Sequence, residues 1–94
     1  MNLVDRKGYE TKDINSIING PELLHFLKTQ KGSRMMQKYV NKRSPEEIYA
    51  ILEKILKNIK DLMCDSYANY FIQKLFQCCT CNQRLEIMER VKFF

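Results

Sequence analysis

Apolar positions recur at helical spacing through most of the chain. Ile48, Ile51, Leu52, Ile55 and Leu56 follow a 3.6-residue period. Ser44 stands before them as a capping residue and Pro45 as a first helical residue, so a helix is predicted from Ser44 onward. Upstream, Pro21 opens a short amphipathic helix on Leu23, Leu24 and Leu27 that is predicted to end near Gly32. Ser33 to Val40 is predicted as a second short helix. Met35, Met36, Tyr39 and Val40 face the core there, and Ser33, Arg34 and Gln37 face the other side. Ile59, Leu62 and Met63 then begin another helical run. A helix carrying Asn69 to Phe76 follows, and a last one runs from Gln83 with Leu85, Met88 and Val91 inward. Residues 1–20 are weakly patterned and punctuated by Gly8 and Gly20. They predict a lead-in or helical cap, with Ile14, Ile17 and Ile18 as its apolar side. Sustained period-two alternation and hairpin dipeptides are absent, so no strand is predicted.

These elements repeat. Ser33-Arg34-Met35-Met36-Gln37 and Asn69-Tyr70-Phe71-Ile72-Gln73 lie 69 − 33 = 36 positions apart. At the same offset Lys38 matches Lys74, Leu27 matches Met63, Ile51 matches Ile87, Leu52 matches Met88, and Ile55 matches Val91. Ser44-Pro45-Glu46-Glu47 matches Thr80-Cys81-Asn82-Gln83, and both are Ser/Thr-x-x-Glu/Gln capping boxes. Apolar, capping and polar matches in one register predict an all-α solenoid of three-helix units: a lead-in over 1–20, one repeat over 21–56 and a second over 57–94. Solenoids are usually stable from about three repeats. The helix pattern is still running at Val91-Lys92-Phe93-Phe94 with no glycine C-cap, so a piece of a longer array is expected. An apolar face of Leu85, Met88, Val91 and Phe93 or Phe94 would then be uncovered, and self-association through it is expected.

Composition narrows the chemistry. The 94 residues carry a formal charge of +5. Six basic residues between Lys28 and Arg43 (Lys28, Lys31, Arg34, Lys38, Lys42, Arg43) meet no acidic one. Such a run is commonly a solvated face, but here it overlaps the Ser-Arg-x-x-Gln string, which points to phosphate contacts; Lys31, Lys38 and Lys74 are the candidates. Cys64, Cys78, Cys79 and Cys81 lack the spacing of a zinc site, and the single histidine, His25, is far away in sequence. Reduced thiols in a cytoplasmic protein with no metal and no cofactor are the expectation. No apolar run reaches the length of a membrane span. With no nucleophile–base pair and no glycine-rich phosphate loop, an enzyme is not expected.

The paired strings suggest a ligand. Residues i and i+4 of a helix lie about 6 Å apart on one face. Ser33 with Gln37, and Asn69 with Gln73, therefore make two-point brackets for the edge of one base. Arg34 and Tyr70 lie beside them and offer planes for stacking. Stacking is worth roughly 1–3 kcal/mol per base, and one base per helical repeat is an established way to read single-stranded RNA. Each string taken alone also has a plain structural reading: Ser33 as a helix cap, Tyr70 as core, the glutamines as solvated.

Gly32-Ser33-Arg34-Met35-Met36-Gln37-Lys38 and Asp65-Ser66-Tyr67-Ala68-Asn69-Tyr70-Phe71-Ile72-Gln73-Lys74 resemble the first two repeats of a Pumilio (PUF) RNA-binding domain. The resemblance runs from about Pro21 to Phe94. It implies a crescent of three-helix repeats whose second helices line the RNA-binding face, and a role in binding mRNA 3′ untranslated regions to control translation or stability. It implies that Ser33 and Gln37 form an adenine-reading pair with Arg34 stacking, and that Asn69 and Gln73 form a uracil-reading pair with Tyr70 stacking. RNA runs antiparallel to the protein in this family, so the implied readout is 5′-UA-3′. Ala68 departs from the glycine usual before Asn-Tyr. Two other readings stay open: a helical scaffold for protein partners, as in HEAT or armadillo arrays, and a divergent relative acting in ribosome biogenesis.

Overall fold

The structure, a computed structural model, describes residues 14–91. Gly8, the rest of the first 13 positions, Phe93, Phe94 and the side chain of Val91 lie outside the described residues. Among the described residues seven α-helices follow one another: α1 (Ile14–Ile18), α2 (Leu23–Leu27), α3 (Gln30–Val40), α4 (Pro45–Ile55), α5 (Ile59–Cys64), α6 (Ala68–Cys78) and α7 (Cys81–Val91), with a 3-10 turn over Leu56–Asn58 between α4 and α5. There is no strand among the described residues. The helices fall into two triplets, α2–α3–α4 and α5–α6–α7, and α3 of the first packs along α6 of the second.

Capping chemistry sets the starts. Ser44 Oγ accepts from Glu47 N at 3.2 Å while the Glu47 carboxylate accepts from Ser44 N at 3.0 Å, a reciprocal box that opens α4. The Ser44 amide, above all, holds the Glu47 carboxyl below the usual carboxylate range. Thr80 and Gln83 repeat the box at α7, with bonds of 2.9 and 3.1 Å. There the buried Gln83 also donates from Nε2 to Pro45 O at 2.9 Å, so a cap of the second triplet ties down the first turn of α4.

Three helix boundaries differ from the sequence reading, the first being that α2 starts at Leu23 after Glu22, so Pro21 lies in the turn before it and is not a first helical residue. The α2 helix stops at Leu27, and Gly32 lies inside α3 rather than ending the helix before it. Thr29 is the cap: its Oγ1 accepts from Gly32 N at 2.9 Å. Ser33 is thereby a residue of the first full turn and not a capping residue. The last helix likewise starts at Cys81, two positions before Gln83.

One apolar core joins both triplets. Leu23, Phe26, Leu27, Met36, Val40, Ile48, Ile51, Leu52 and Ile55 meet Ile59, Leu62, Ala68, Phe71, Leu75 and Ile87, and Ile17 and Ile18 of α1 belong to the same cluster. Its period matches the apolar spacing of the sequence, with one correction. Leu85 and Met88 do not point inward: they are 58% and 59% exposed, and Gln83 and Ile87 are the buried residues of α7. Met88 instead borders an apolar groove of about 320 Å³ with Met63, Ile72, Leu75, Phe76 and Ile87. On the outer side, Arg90 pairs with Glu86 at 3.2 Å and with Glu53 of α4 at 3.8 Å. The four cysteines are free thiols, and burial pushes the Cys79 thiol up from its ordinary value. Among the described residues no cluster of His, Cys, Asp or Glu is placed to hold a metal ion, and no helix is long and apolar enough to cross a membrane.

Candidate nucleic-acid interface

The α3–α6 seam carries the candidate site. Asp65 stands where Thr29 stands one repeat earlier, and it starts α6 by accepting from the amides of Tyr67 and Ala68, both at 2.9 Å. Those amides, Ala68 first and Tyr67 second, hold the Asp65 carboxyl below its usual range. A carboxylate held low stabilises the fold at pH values above its unfolded value of about 4, and that contribution is lost as pH falls through the folded value. Thermal melts below about pH 4 are therefore expected to fall less steeply for Asp65→Asn than for the native chain; equal slopes would remove Asp65 from this role.

Along α3 and α6 the two brackets are closed upon themselves. Gln37 Nε2 donates to Ser33 Oγ at 3.0 Å, and Gln73 Nε2 donates to Asn69 Oδ1 at 3.1 Å. Each upstream partner is itself held. Ser33 Oγ donates across the seam to Tyr67 O at 2.7 Å. Asn69 Nδ2 donates to Asp65 O at 2.6 Å and Ser66 O at 3.1 Å within its own helix start. Ser33 is only 2% exposed, so it does not lie on the open face where the period of α3 alone puts it.

Two adjoining clefts follow the seam. One, of about 400 Å³, is lined by Gln30, Ser33, Arg34, Gln37, Ser66, Tyr67 and Tyr70. The other, of about 290 Å³, is lined by Arg34, Gln37, Lys38, Asn41 and Lys74. The structure thus brings Ser33, Arg34, Gln37 and Tyr70 together, with Lys38 and Lys74 beside them and no acidic residue on either wall. Asn69 and Gln73 adjoin each other on α6 but line neither cleft, and neither does Lys31. Tyr70 is 58% exposed and Tyr67 43%, large aromatic areas left open to a ligand.

The basic run divides. Lys28 bonds Asp61 of α5, and that contact is the main cause holding its ammonium above the ordinary lysine value. Arg43 stacks over the Tyr39 ring at 4.4 Å and pairs with Glu47. Both serve the fold, while Arg34 and Lys38 face the clefts. Tyr67, Gln30, Ser66 and Asn41 also line the clefts, and sequence reasoning did not single them out. For Tyr67 a signal was present, an aromatic three residues before Tyr70 and so on the same side of the chain as it enters α6.

The Pumilio-family RNA binding repeat matches residues 25–56 and again 58–92. The chain belongs to the Pumilio family. Pumilio homolog 12 of Arabidopsis thaliana is 32% identical to it over 78 residues, which is 82% of this chain and 13% of that protein. Pumilio homolog 1 of Xenopus laevis is 33% identical over 70 residues, 74% of this chain and 6% of that protein. Pumilio homolog 11 of Arabidopsis thaliana is 29% identical over 83 residues, 87% of this chain and 15% of that protein. The chain therefore spans a small part of these Pumilio relatives. No solved structure gives a significant match. The α-solenoid of Pumilio repeats expected from the sequence is the fold found, and α3 and α6 are the middle helices of the two units.

Proposed function

We propose that the α3–α6 seam binds single-stranded RNA, one base per repeat, with 5′-UA-3′ as the preferred dinucleotide. The observation that carries the reading is the cleft itself: Arg34 and Tyr70, two stacking side chains from successive repeats, line one opening with the Gln37 amide. A base placed there would be stacked by the planes and met on its edge by the amide. Gln37, held by Ser33, reads adenine; Asn69 and Gln73 read uracil; Lys38 and Lys74, with Lys31 farther along α3, meet phosphates. Across a longer array the reading is a protein that binds mRNA 3′ untranslated regions in the cytoplasm and regulates translation or stability, a binding protein rather than an enzyme. The two complete brackets favour it over a ribosome-biogenesis role.

Fluorescence anisotropy with labelled oligonucleotides tests it. A longer array containing these repeats is expected to bind RNA with UA at the matching positions more tightly than RNA with those bases exchanged. The 94-residue chain alone is expected to bind weakly. Two stacked bases supply only a few kcal/mol, against roughly 4–15 kcal/mol of freedom lost on association. Equal affinity for both sequences in the array, or sub-micromolar affinity in the isolated chain, would overturn the scheme.

A second copy of the chain is the proposed occupant of the apolar groove beside Met63 and Met88. By the 36-residue offset, these residues match Leu27 and Leu52, which are buried within the two-repeat core. Light scattering over a concentration series is expected to show mass rising with concentration. A constant monomer mass would contradict it.

A further inference from the structure

We propose that the flank of α3 turned away from α6 is an RNA-backbone site. There Lys31, Lys38 and Lys42 hold the phosphates on the 3′ side of the adenine, without regard to the bases they carry. This rests on the proposed reading of 5′-UA-3′, with U on the second repeat and A on the first, and adds where the strand is gripped beyond it. By the 3.6-residue period Lys31 stands roughly 160° around the α3 axis from Ser33, whose hydroxyl bonds across the seam to Tyr67 O. Lys38 follows about two turns later on the same side. Lys42 comes next, in the turn that ends α3. All three are exposed. The 36-residue offset matches Tyr67 to Lys31 and Lys74 to Lys38. Tyr67 and Lys74 line the two clefts from the side of α6 that faces α3. The same positions of α3 therefore border the path of a strand that continues past the first repeat.

The two exits from the seam differ in chemistry. At the matched positions of the second repeat, Tyr67 and Cys78 replace Lys31 and Lys42, so one cation of three is kept. The flank of α6 turned from α3 borders the apolar groove of Met63, Ile72, Phe76 and Met88, whose lining carries no charge among the described residues. The exit on the adenine side is thus positive and the exit on the uracil side apolar. A phosphodiester is an anion with no apolar area to bury, so only the first exit suits it. No acidic residue between Lys28 and Arg43 opposes it there. The ammonium of lysine is a compact point charge that attracts phosphate without touching a base edge, so this grip carries no sequence information.

NMR titration of this chain at high protein concentration tests the proposal with four oligonucleotides. These are 5′-UA-3′, the exchanged 5′-AU-3′, and UA lengthened by two abasic ribonucleotides at the 3′ or the 5′ end. Abasic sugars add phosphates and no base. The 3′ extension is expected to tighten binding about fivefold in about 50 mM salt, and to steepen the fall of log K with log salt by about 0.7–1.4, the contribution of one or two phosphates. The 5′ extension is expected to gain less than about twofold. Lys31→Gln combined with Lys42→Gln is expected to reduce the 3′ gain to less than about twofold. Lys54→Gln combined with Lys57→Gln, the same loss of charge at exposed positions of α4 and the turn after it, is expected to keep the gain. Absence of the 3′ gain, an equal or larger gain on the 5′ side, or a 3′ gain that survives loss of Lys31 and Lys42 would overturn the proposal. If UA binds no more tightly than AU, base reading by the seam fails and the proposal with it. If UA is preferred and the 3′ gain is absent, the reading stands and the backbone site alone falls.

Discussion

Replacing Gly32 by alanine is expected to lower stability by about 2 kcal/mol or more, near the upper part of the cost of overpacking a filled site. A Cβ there would stand 1.9 Å from Phe26 O and 2.7 Å from both Phe26 C and Thr29 Oγ1. Two of those atoms are backbone, and the Phe26 carbonyl is already engaged by Thr29, from its amide at 3.2 Å and its hydroxyl at 2.8 Å. The α2 helix would have to withdraw from α3, opening the core around Phe26 and Leu27. Alanine's better helix propensity returns only about 1 kcal/mol. The same change made in reverse one repeat later, Ala68→Gly, is also expected to destabilise, because the Ala68 methyl is fully buried in the core. Thermal unfolding of both variants checks the pair. A domain of this size loses roughly 4–8 °C per kcal/mol, and a higher midpoint for Gly32→Ala would refute the packing argument.

Gln37→Glu is expected to turn the first repeat from adenine toward guanine. A carboxylate accepts at both oxygens and donates at neither. Guanine presents two donors, at N1 and at its amino group, where adenine presents one donor and one acceptor. A well-formed bidentate pair discriminates between bases by about 1–3 kcal/mol, roughly tenfold or more. Competition binding with A and G at that single position, in an array carrying these repeats, measures it. An unchanged preference would mean that residue 37 does not read the base.

Where sequence and structure agree, the cause is local. Ser44, Pro45 and Glu47 specify the start of α4 within four residues, and the apolar period carries the helix to Ile55. The brackets were legible for the same reason, since residues four apart on one helix meet whatever surrounds them. The misreadings involve partners that the apolar period of a single helix does not reveal, some of them far along the chain. Gly32 looks like a helix end until α2 is seen pressed against it. Ser33 looks open until Tyr67, 34 positions away, covers it. Lys28 and Arg43 belong to a basic run by composition, but Asp61 and the Tyr39 ring take them out of it. Leu85 and Met88 fit the apolar period of α7, yet α4 meets a different side of that helix, the one that carries Gln83 and Ile87.

The hydrogen bond from Ser33 to the Tyr67 carbonyl has a consequence for how such chains grow. Duplication and recombination act on contiguous stretches of about 36 residues, and a cut between α4 and α5 would look like a clean seam. It would nonetheless separate Ser33 from its acceptor. Because that acceptor is a main-chain oxygen, any newly adjoining segment that enters its middle helix along the same path restores the bond whatever its side chains are. Modules can then be shuffled without each new neighbour having to co-evolve with the serine, and inheritance constrains the path of the backbone at the junction more tightly than the residue found there.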